Sequence, residues 1–385
     1  MKNEYLETKE KKKCNGCGIC TLVCPVNAIS MVEDEEGFFY PVIDNDRCIN
    51  CNKCKSICSN YNYSKELGKA YLAINKNSEE LLKSASGGMF YILAKYVIDK
   101  KGVVFGVEYD DNLNVQHNYY ETIEECKKFQ GSKYVRSNLR DSFQKAKKFL
   151  EDNRYVLFTG TPCQCNALNT YLKKDYDRLI LCDIICHANP SQKVFNKYKN
   201  ELETKYGKKI VDFKFRDKAN GWHGSIPNIY FEDNTIIKDR IFYEAFVSEL
   251  FNRPSCHECQ FACLKRCTDF TIGDLWGVEK IFPEYKNNNT GISLLLVNSN
   301  KGLNIFDEIK RNIEYREVDY EKAFECNHHT NVQTHKNRNF FFKNLDKMTV
   351  EKNIRKCLKI DILTRVKRKI KSILKKYFKE KYLYR

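Results

Sequence analysis

The sequence predicts an α/β protein, α+β when taken as a whole, built as a small cysteine-rich module followed by a larger α/β domain. Three observations carry this expectation. The 385 residues exceed one typical domain. Eight of the 19 cysteines crowd into residues 14–58. Beyond them, short apolar runs alternate with amphipathic stretches, the pattern of strands and helices laid in turn. Boundaries are expected near residue 65, where SNYNYSKELGK reads as a polar linker, and near residue 330. This divides the chain into 1–65, 66–330 and a basic helical extension over 331–385.

Taken in order, Ser78 to Asp99 reads as a helix interrupted by Ser86-Gly87-Gly88, while GVVFGVEY from Gly102 and NVQHNYY from Asn114 read as strands. Thr122 to Phe129 reads as a helix opened by a Thr122/Glu125 capping box, with Cys126 as a buried small hydrophobe. Tyr155 to Phe158 is a strand that enters Thr159-Gly160-Thr161-Pro162-Cys163 and a helix behind it, with Pro162 suited to the first helical position. A turn of this kind leaves backbone N–H groups free where the helix starts, a place for anionic groups or a cluster. Further strands are expected at Leu179 to Ile185, Ile210 to Phe215, Ile226 to Phe231 and Gly291 to Val297. Helices are expected at Gln192 to Tyr206, Arg240 to Phe251 and Leu303 to Asn312.

Composition narrows the function classes. The hydrophobic content of 42% and aromatic content of 13% are those of a globular chain, and the apolar run Tyr91 to Ile98 is too short to span a bilayer. Residues 1–13 are charged and lack the apolar stretch of a secretory signal, so a cytoplasmic location is expected. In that reducing compartment so many cysteines point to metal or redox chemistry rather than disulfides. The formal charge of +16 counts every cysteine as neutral. Each 4Fe-4S core held by four thiolates contributes roughly −2, so three clusters would bring the total to about +10. The remaining basic residues are dispersed, and no nucleic-acid groove is expected. Residues 365–385 place apolar side chains on one helical face and lysines on the other. That is the pattern of a helix packed on its own domain, with peripheral membrane contact as the alternative.

The run Cys14-x2-Cys17-x2-Cys20-x3-Cys24-Pro25 recurs as Cys48-x2-Cys51-x2-Cys54-x3-Cys58, with Ser59 in place of proline. A cubane needs four soft thiolates converging from different directions. Three cysteines on one tight loop reach three irons, and the fourth ligand comes from the other run. This groups Cys14, Cys17 and Cys20 with Cys58, and Cys48, Cys51 and Cys54 with Cys24. The region resembles a bacterial-type two-cluster ferredoxin domain. A pair of zinc sites is the structural alternative, but zinc sites rarely show this doubled spacing.

A second constellation comprises Cys163, Cys165, Cys182, Cys186, Cys256, Cys259, Cys263 and Cys267. Spacing leaves two assignments open: a compact site of Cys256, Cys259, Cys263 and Cys267, with zinc a candidate occupant, or a site gathered from distant strand ends. The motifs SASGGMF (84–90), GSKYVRS (131–137), GTPCQ (160–164), CHANPS (186–191) and RPSCHEC followed by TDFTIGDLWG resemble the coenzyme F420 hydrogenase/dehydrogenase beta-subunit family over most of residues 66–330. The resemblance implies a third 4Fe-4S cluster on Cys163, Cys186, Cys256 and Cys259 beside an FAD. Cys263 and Cys267 are then extra, and Cys165 and Cys182 are core thiols. Ala188 and Asn189 stand where relatives more often have glycine and a small apolar residue.

The resemblance also places FAD contacts on Ser86, Gly87, Gly88, Gly131, Ser132, Lys133, Tyr134, Arg136, Ser137, Gly160 and Thr161. These residues supply close backbone approach, cationic and hydroxyl partners for phosphate or ribose, and a ring to lie against. His187 follows Cys186 and is the candidate proton relay, a satisfied core histidine being the bland reading. Trp222-His223 and His328-His329 show no partner in the sequence. The expected function is an oxidoreductase that takes electrons from a ferredoxin-like donor protein through the clusters to FAD and on to a small molecule. The alternatives are an electron-transfer subunit without a substrate of its own and a coenzyme F420-dependent oxidoreductase.

Overall fold

The computed structural model describes residues 5–58, 67–223 and 226–360. The N-terminal module holds α1 (Tyr5–Thr8), α2 (Ile19–Leu22), β1 (Ile29–Glu33), β2 (Phe39–Ile43) and α3 (Lys53–Ile57), with β1 and β2 paired as an antiparallel hairpin. Tyr5, Leu6, Cys14, Cys20, Phe38 and Tyr40 form its small core.

The larger part begins with β3 (Lys69–Asn75), α4 (Ser78–Lys83), α5 (Met89–Asp99), β4 (Val103–Tyr109), β5 (Val115–Tyr120), α6 (Ile123–Cys126) and α7 (Ser142–Glu151). There follow β6 (Val156–Gly160), α8 (Pro162–Leu172), β7 (Leu179–Ile184) and α9 (Gln192–Tyr206). After them come β8 (Ile210–Asp217), β9 (Ile226–Phe231), β10 (Ile236–Lys238) and α10 (Ile241–Val247). The chain closes with β11 (Phe270–Asp274), α11 (Val278–Ile281), β12 (Ser293–Val297), α12 (Asn300–Ile309), β13 (Ile313–Val318), α13 (Arg338–Lys343) and α14 (Val350–Cys357).

Eight strands form the main sheet in the order β13-β3-β12-β11-β7-β6-β4-β5. Its centre, β11-β7-β6-β4, is parallel, and the flanking pairs are antiparallel. Strand alternation sorts side chains to the two faces. Val104, Leu157 and Ile180 pack with α5 and α12 on one face, while Val103, Phe105, Val156, Phe158, Leu179 and Leu181 pack with α7 and α8 on the other. A smaller antiparallel sheet, β10-β9-β8, joins α9 and α10 in a second core.

The expected helix break is present, since α4 and α5 flank Ser86-Gly87-Gly88. Thr122 caps α6 by accepting the Glu125 N–H, and Cys126 is buried as expected. The helix expected over Arg240 to Phe251 stops at Val247, because Glu249 takes a left-handed backbone (φ +61°) that cannot continue it. Residues 338–360 do not form an appendage. Phe341, Leu345, Val350 and Ile354 are buried in the core shared with α9 and α10. The linker boundary near residue 65 and the amphipathic stretch 365–385 lie outside the described residues. Within them, no helix is long and apolar enough to cross a membrane.

Candidate metal centre

Parallel strands that end together leave a crevice at their carboxyl edge, where ligands bind in open α/β sheets. Here β6 and β7 are neighbours in the sheet, and each delivers a cysteine just beyond its end. After β6, Thr161 leads into α8 with Pro162 at the first helical position. Gln164 fastens this turn: its Oε1 accepts the Thr161 N–H at 3.0 Å and its amide donates to Ser137 Oγ at 2.9 Å. Cys163 is thereby held at the start of the helix. Cys186 lies two residues past β7. Cys256 sits on the short 3-10 helix Pro254–Glu258, and Cys259 follows it.

These four cysteines line one cavity, with Arg136, His187, Asn189, Arg253 and His328 also in its wall. Its cavity volume is about 30 Å³. Two side chains aim polar hydrogens at the sulfurs, and the Thr161 hydroxyl lies beside one of them. Asn189 Nδ2 lies 3.8 Å from Cys186 Sγ and 4.0 Å from Cys256 Sγ, Arg136 Nη1 lies 4.0 Å from Cys163 Sγ, and Thr161 Oγ1 lies 3.2 Å from the same sulfur. Burial, and then the thiols of Cys256, Cys163 and Cys259, push Cys186 well above the ordinary thiol value. Cys259 is pushed to about 12, first by burial and then by Cys256 and Cys163. Buried thiols gathered around one small cavity are the state that bound iron would relieve by deprotonating them.

The four cysteines of the compact alternative do not all line this cavity. Cys263 and Cys267 lie outside the cavity wall. The Cys263 thiol points to Lys265 O at 3.3 Å, and Cys267 is raised by burial and then by the neighbouring Asp183. Cys165 and Cys182 are fully buried, as expected of core thiols.

In the module, burial raises Cys20, and the thiols of Cys17, Cys14, Cys58 and Cys54 add to the effect. Cys58 rises to about 12 by burial and then through Cys17, Cys14 and Cys54. Cys58 thus lies near Cys14, Cys17 and Cys20, with Cys54 also close by. On the other side, Cys51 is exposed, Cys54 neighbours Cys48 and Cys51, and Arg47 donates to Val26 O at 3.0 Å, bringing this loop beside Cys24. All 19 cysteines are free thiols. Among the described residues no three His, Cys, Asp or Glu side chains close on a single-ion site. A cubane, by contrast, keeps its four sulfurs apart around its own volume.

The module is fastened to the larger domain at this same place. Arg253, 1% exposed, donates from Nε to Cys14 O at 2.9 Å and from Nη2 to Phe39 O at 3.1 Å, and stacks 4.3 Å from the Tyr40 ring centroid. A Cβ on Gly16 would stand 2.9 Å from this guanidinium, so glycine, here at φ +65°, is what lets the loop pass. Arg136 Nη2 donates to Gly16 O at 3.1 Å.

The residues expected to hold FAD do not form one cradle. Arg136 is spent between Gly16 and Cys163, and Ser137, Gly160 and Thr161 belong to the turn that presents Cys163. Ser86 Oγ donates to Ile292 O at 2.9 Å, and the Gly87 N–H donates to Ser293 Oγ at 2.9 Å. Gly88 caps α5 at φ +82°. Gly131 is exposed at φ +81°, and Ser132 is half-buried beside it. Lys133 Nζ donates to Lys128 O and Gln130 O, and burial lowers it to about 8. The Tyr134 ring packs among Phe215, Tyr243 and Phe246. Charge and local packing divert these groups to partners within the protein, so the fit to a pyrophosphate is not made by this set.

His187 contacts His328 through one ring nitrogen and Glu249 through the other. Burial, and then His187 and His329, lower His328 to about 4. Trp222 stacks on Trp276 at 4.8 Å and donates to Asp274 at 2.6 Å, and Asp274 also pairs with Arg216. Sequence reasoning assigned no role to Arg253, although it opens the motif RPSCHEC, and none to Glu249, which carries no motif signal. Asn189 was visible only as a departure.

Residues 153–323 match the family model for the C terminus of the coenzyme F420 hydrogenase/dehydrogenase beta subunit, and residues 13–60 match the 4Fe-4S dicluster domain. The resemblance is borne out over these two stretches, and the motifs at 84–90 and 131–137 lie outside them. An uncharacterized protein of Methanocaldococcus jannaschii is 26% identical over 46% of this chain, and the match spans 58% of that relative's own length. The F subunit of the F(420)H(2) dehydrogenase of Methanosarcina mazei is 21% identical over 67% of this chain and 75% of its own length. An uncharacterized ferredoxin of Methanocaldococcus jannaschii is 39% identical over 13% of this chain and 62% of its own. Among solved structures, a chain of the F420-reducing [NiFe] hydrogenase complex from Methanosarcina barkeri, studied with xenon, aligns over 78% of this chain and 94% of its own, with a TM-score of 0.46 and 16% identity.

Proposed function

We propose that this chain is an iron-sulfur oxidoreductase component that passes electrons from a protein donor, such as a ferredoxin, to a small molecule bound by the larger domain. The observation that carries the reading is the line of thiols from surface to interior. It runs from exposed Cys51 through Cys54 to Cys20 and Cys58, then from Cys17 to Cys163 and the cavity of Cys186, Cys256 and Cys259. In this reading Cys14, Cys17, Cys20 and Cys58 hold one 4Fe-4S cluster, Cys48, Cys51, Cys54 and Cys24 a second, and Cys163, Cys186, Cys256 and Cys259 a third. Bound clusters supply one-electron exchange with little rearrangement. The chain's own residues space these sites, bury them and direct Asn189 and Arg136 at the sulfurs.

FAD belongs to this reading through the family resemblance alone, as the group that would join one-electron to two-electron chemistry. A second reading is favoured by the relatives. One is named as a subunit of an F(420)H(2) dehydrogenase, so this chain would serve a catalytic partner or use coenzyme F420 itself. Iron, sulfide, zinc and flavin measured on one anaerobically purified sample test both. About twelve irons with one FAD support the flavin-containing enzyme, and about twelve without flavin support the subunit. About eight irons with bound zinc sink the third cluster.

A further inference from the structure

We propose that Arg136 is the positioning residue that couples the N-terminal module to the cavity of Cys163, Cys186, Cys256 and Cys259, and that its charge sets the reduction potential on both sides of that junction. This rests on the reading of three clusters given above. The guanidinium reaches a cysteine loop on each side: Nη2 donates to Gly16 O, between Cys14 and Cys17, while Nη1 faces Cys163 Sγ. Its backbone is fixed by the Arg136 N–H donating to Pro190 O at 3.0 Å, and its neighbours Val135 and Ser137 are buried, so the side chain has little freedom to leave.

Arginine remains charged in any protein environment, and its fork presents donors in two directions at once. Burial opposes its charge, and the groups that favour it are Cys163 first, then Cys256 and Cys17. With clusters bound, the thiolates of both sites would be its compensating anions. An electron that moves from the Cys17 side to the Cys163 side oxidises one centre by one electron and reduces the other by one, with no bond or proton involved. A fixed cation between them stabilises the more negative, reduced form of each, so it raises both potentials and keeps them matched. The centre at Cys48, Cys51 and Cys54 is out of its reach and is unaffected.

The test compares full-length wild type, Arg136→Lys and Arg136→Gln, purified anaerobically, by redox titration followed by electron paramagnetic resonance, with iron counted on each. Arg136→Gln is expected to lower the reduced-to-oxidised ratio of the two adjoining centres about tenfold at a fixed solution potential, which is about 59 mV for a one-electron centre. Arg136→Lys, which keeps the charge but loses one donor, should shift them less, and the outer centre should not move. An equal shift of all three centres, or none in a variant with full iron, overturns the proposal. If Arg136→Gln loses the third site's iron, the Cys14–Cys17 centre decides: a lowered potential upholds the proposal and an unmoved one overturns it. If that variant does not accumulate, the same comparison is made on Arg136→Lys. Fewer than about twelve irons in the wild type would instead remove the three-cluster reading itself.

Discussion

Asn189 departs from the pattern of its relatives, and its environment supplies a chemical use for the difference. An amide at this position reaches the sulfurs of Cys186 and Cys256, where glycine or a small apolar residue would reach neither. At the same scale, His117 on β5 is 1% exposed, lies 3.1 Å from Thr159 O through Nε2 and stacks on Phe158. Burial lowers its pKa from 6.5 to about 4. The folded state keeps this ring neutral while the unfolded chain takes up a proton below about 6.5. Its contribution is therefore complete above that pH and is lost as the pH falls toward about 4. His117→Gln, which does not titrate, should show a flatter stability profile. Anaerobic urea unfolding of both proteins at pH 7 and pH 5 should find the wild type losing about 2 kcal/mol more over that interval.

Elements with a clear period or a chemical terminus are legible in the sequence. Helix α9 is legible to the residue, Gln192–Tyr206, because Ser191 accepts the Val194 N–H at one end and Gly207 takes a left-handed backbone at the other. Strands β3, β11 and β13 are not. In β3 every residue after Lys69 is buried, so the period-two alternation is missing, and β11 shows only as part of a motif. The Ser86-Gly87-Gly88 break also has a structural cause. A Cβ on Gly87 would meet Ala73 O at 2.3 Å and Ser293 N at 2.5 Å, both backbone atoms of paired strands that cannot retreat. Gly87→Ala should cost about 3 kcal/mol of stability by denaturant unfolding. A loss within a few tenths of a kcal/mol would mean the loop is free to move and is available for a ligand.

For the whole molecule, the module and the larger domain share one set of restraints. Arg253 holds the Cys14 and Phe39 carbonyls, Arg338 pairs with Glu36 and also donates to Asn252 O, and Lys193 donates to Glu35 O. Arg253, Cys14, Arg338 and Asn252 are buried, so removing one partner there leaves the other unsatisfied. Arg253→Met keeps much of the apolar stem and deletes the donors. It should lower unfolding stability by about 3 kcal/mol and release iron from the N-terminal sites first, as read by iron content after a timed chelator challenge. Equal retention of iron in variant and wild type would show that the module holds its shape without the larger domain.

The sequence by itself determined the two cysteine runs and the strand, turn and helix that present Cys163. Each of these follows from short-range spacing, capping chemistry or the reach of a thiolate. It also placed Cys186, Cys256 and Cys259 as candidates without being able to choose them over Cys263 and Cys267. Only the tertiary structure brings Cys163, Cys186, Cys256 and Cys259 to one cavity wall, because the order of strands in a sheet decides which distant loops share an edge. The same holds for Arg136, whose charge was legible but whose direction was not. A side chain's partners are set by what folding brings to it, and here that was the loop of another module.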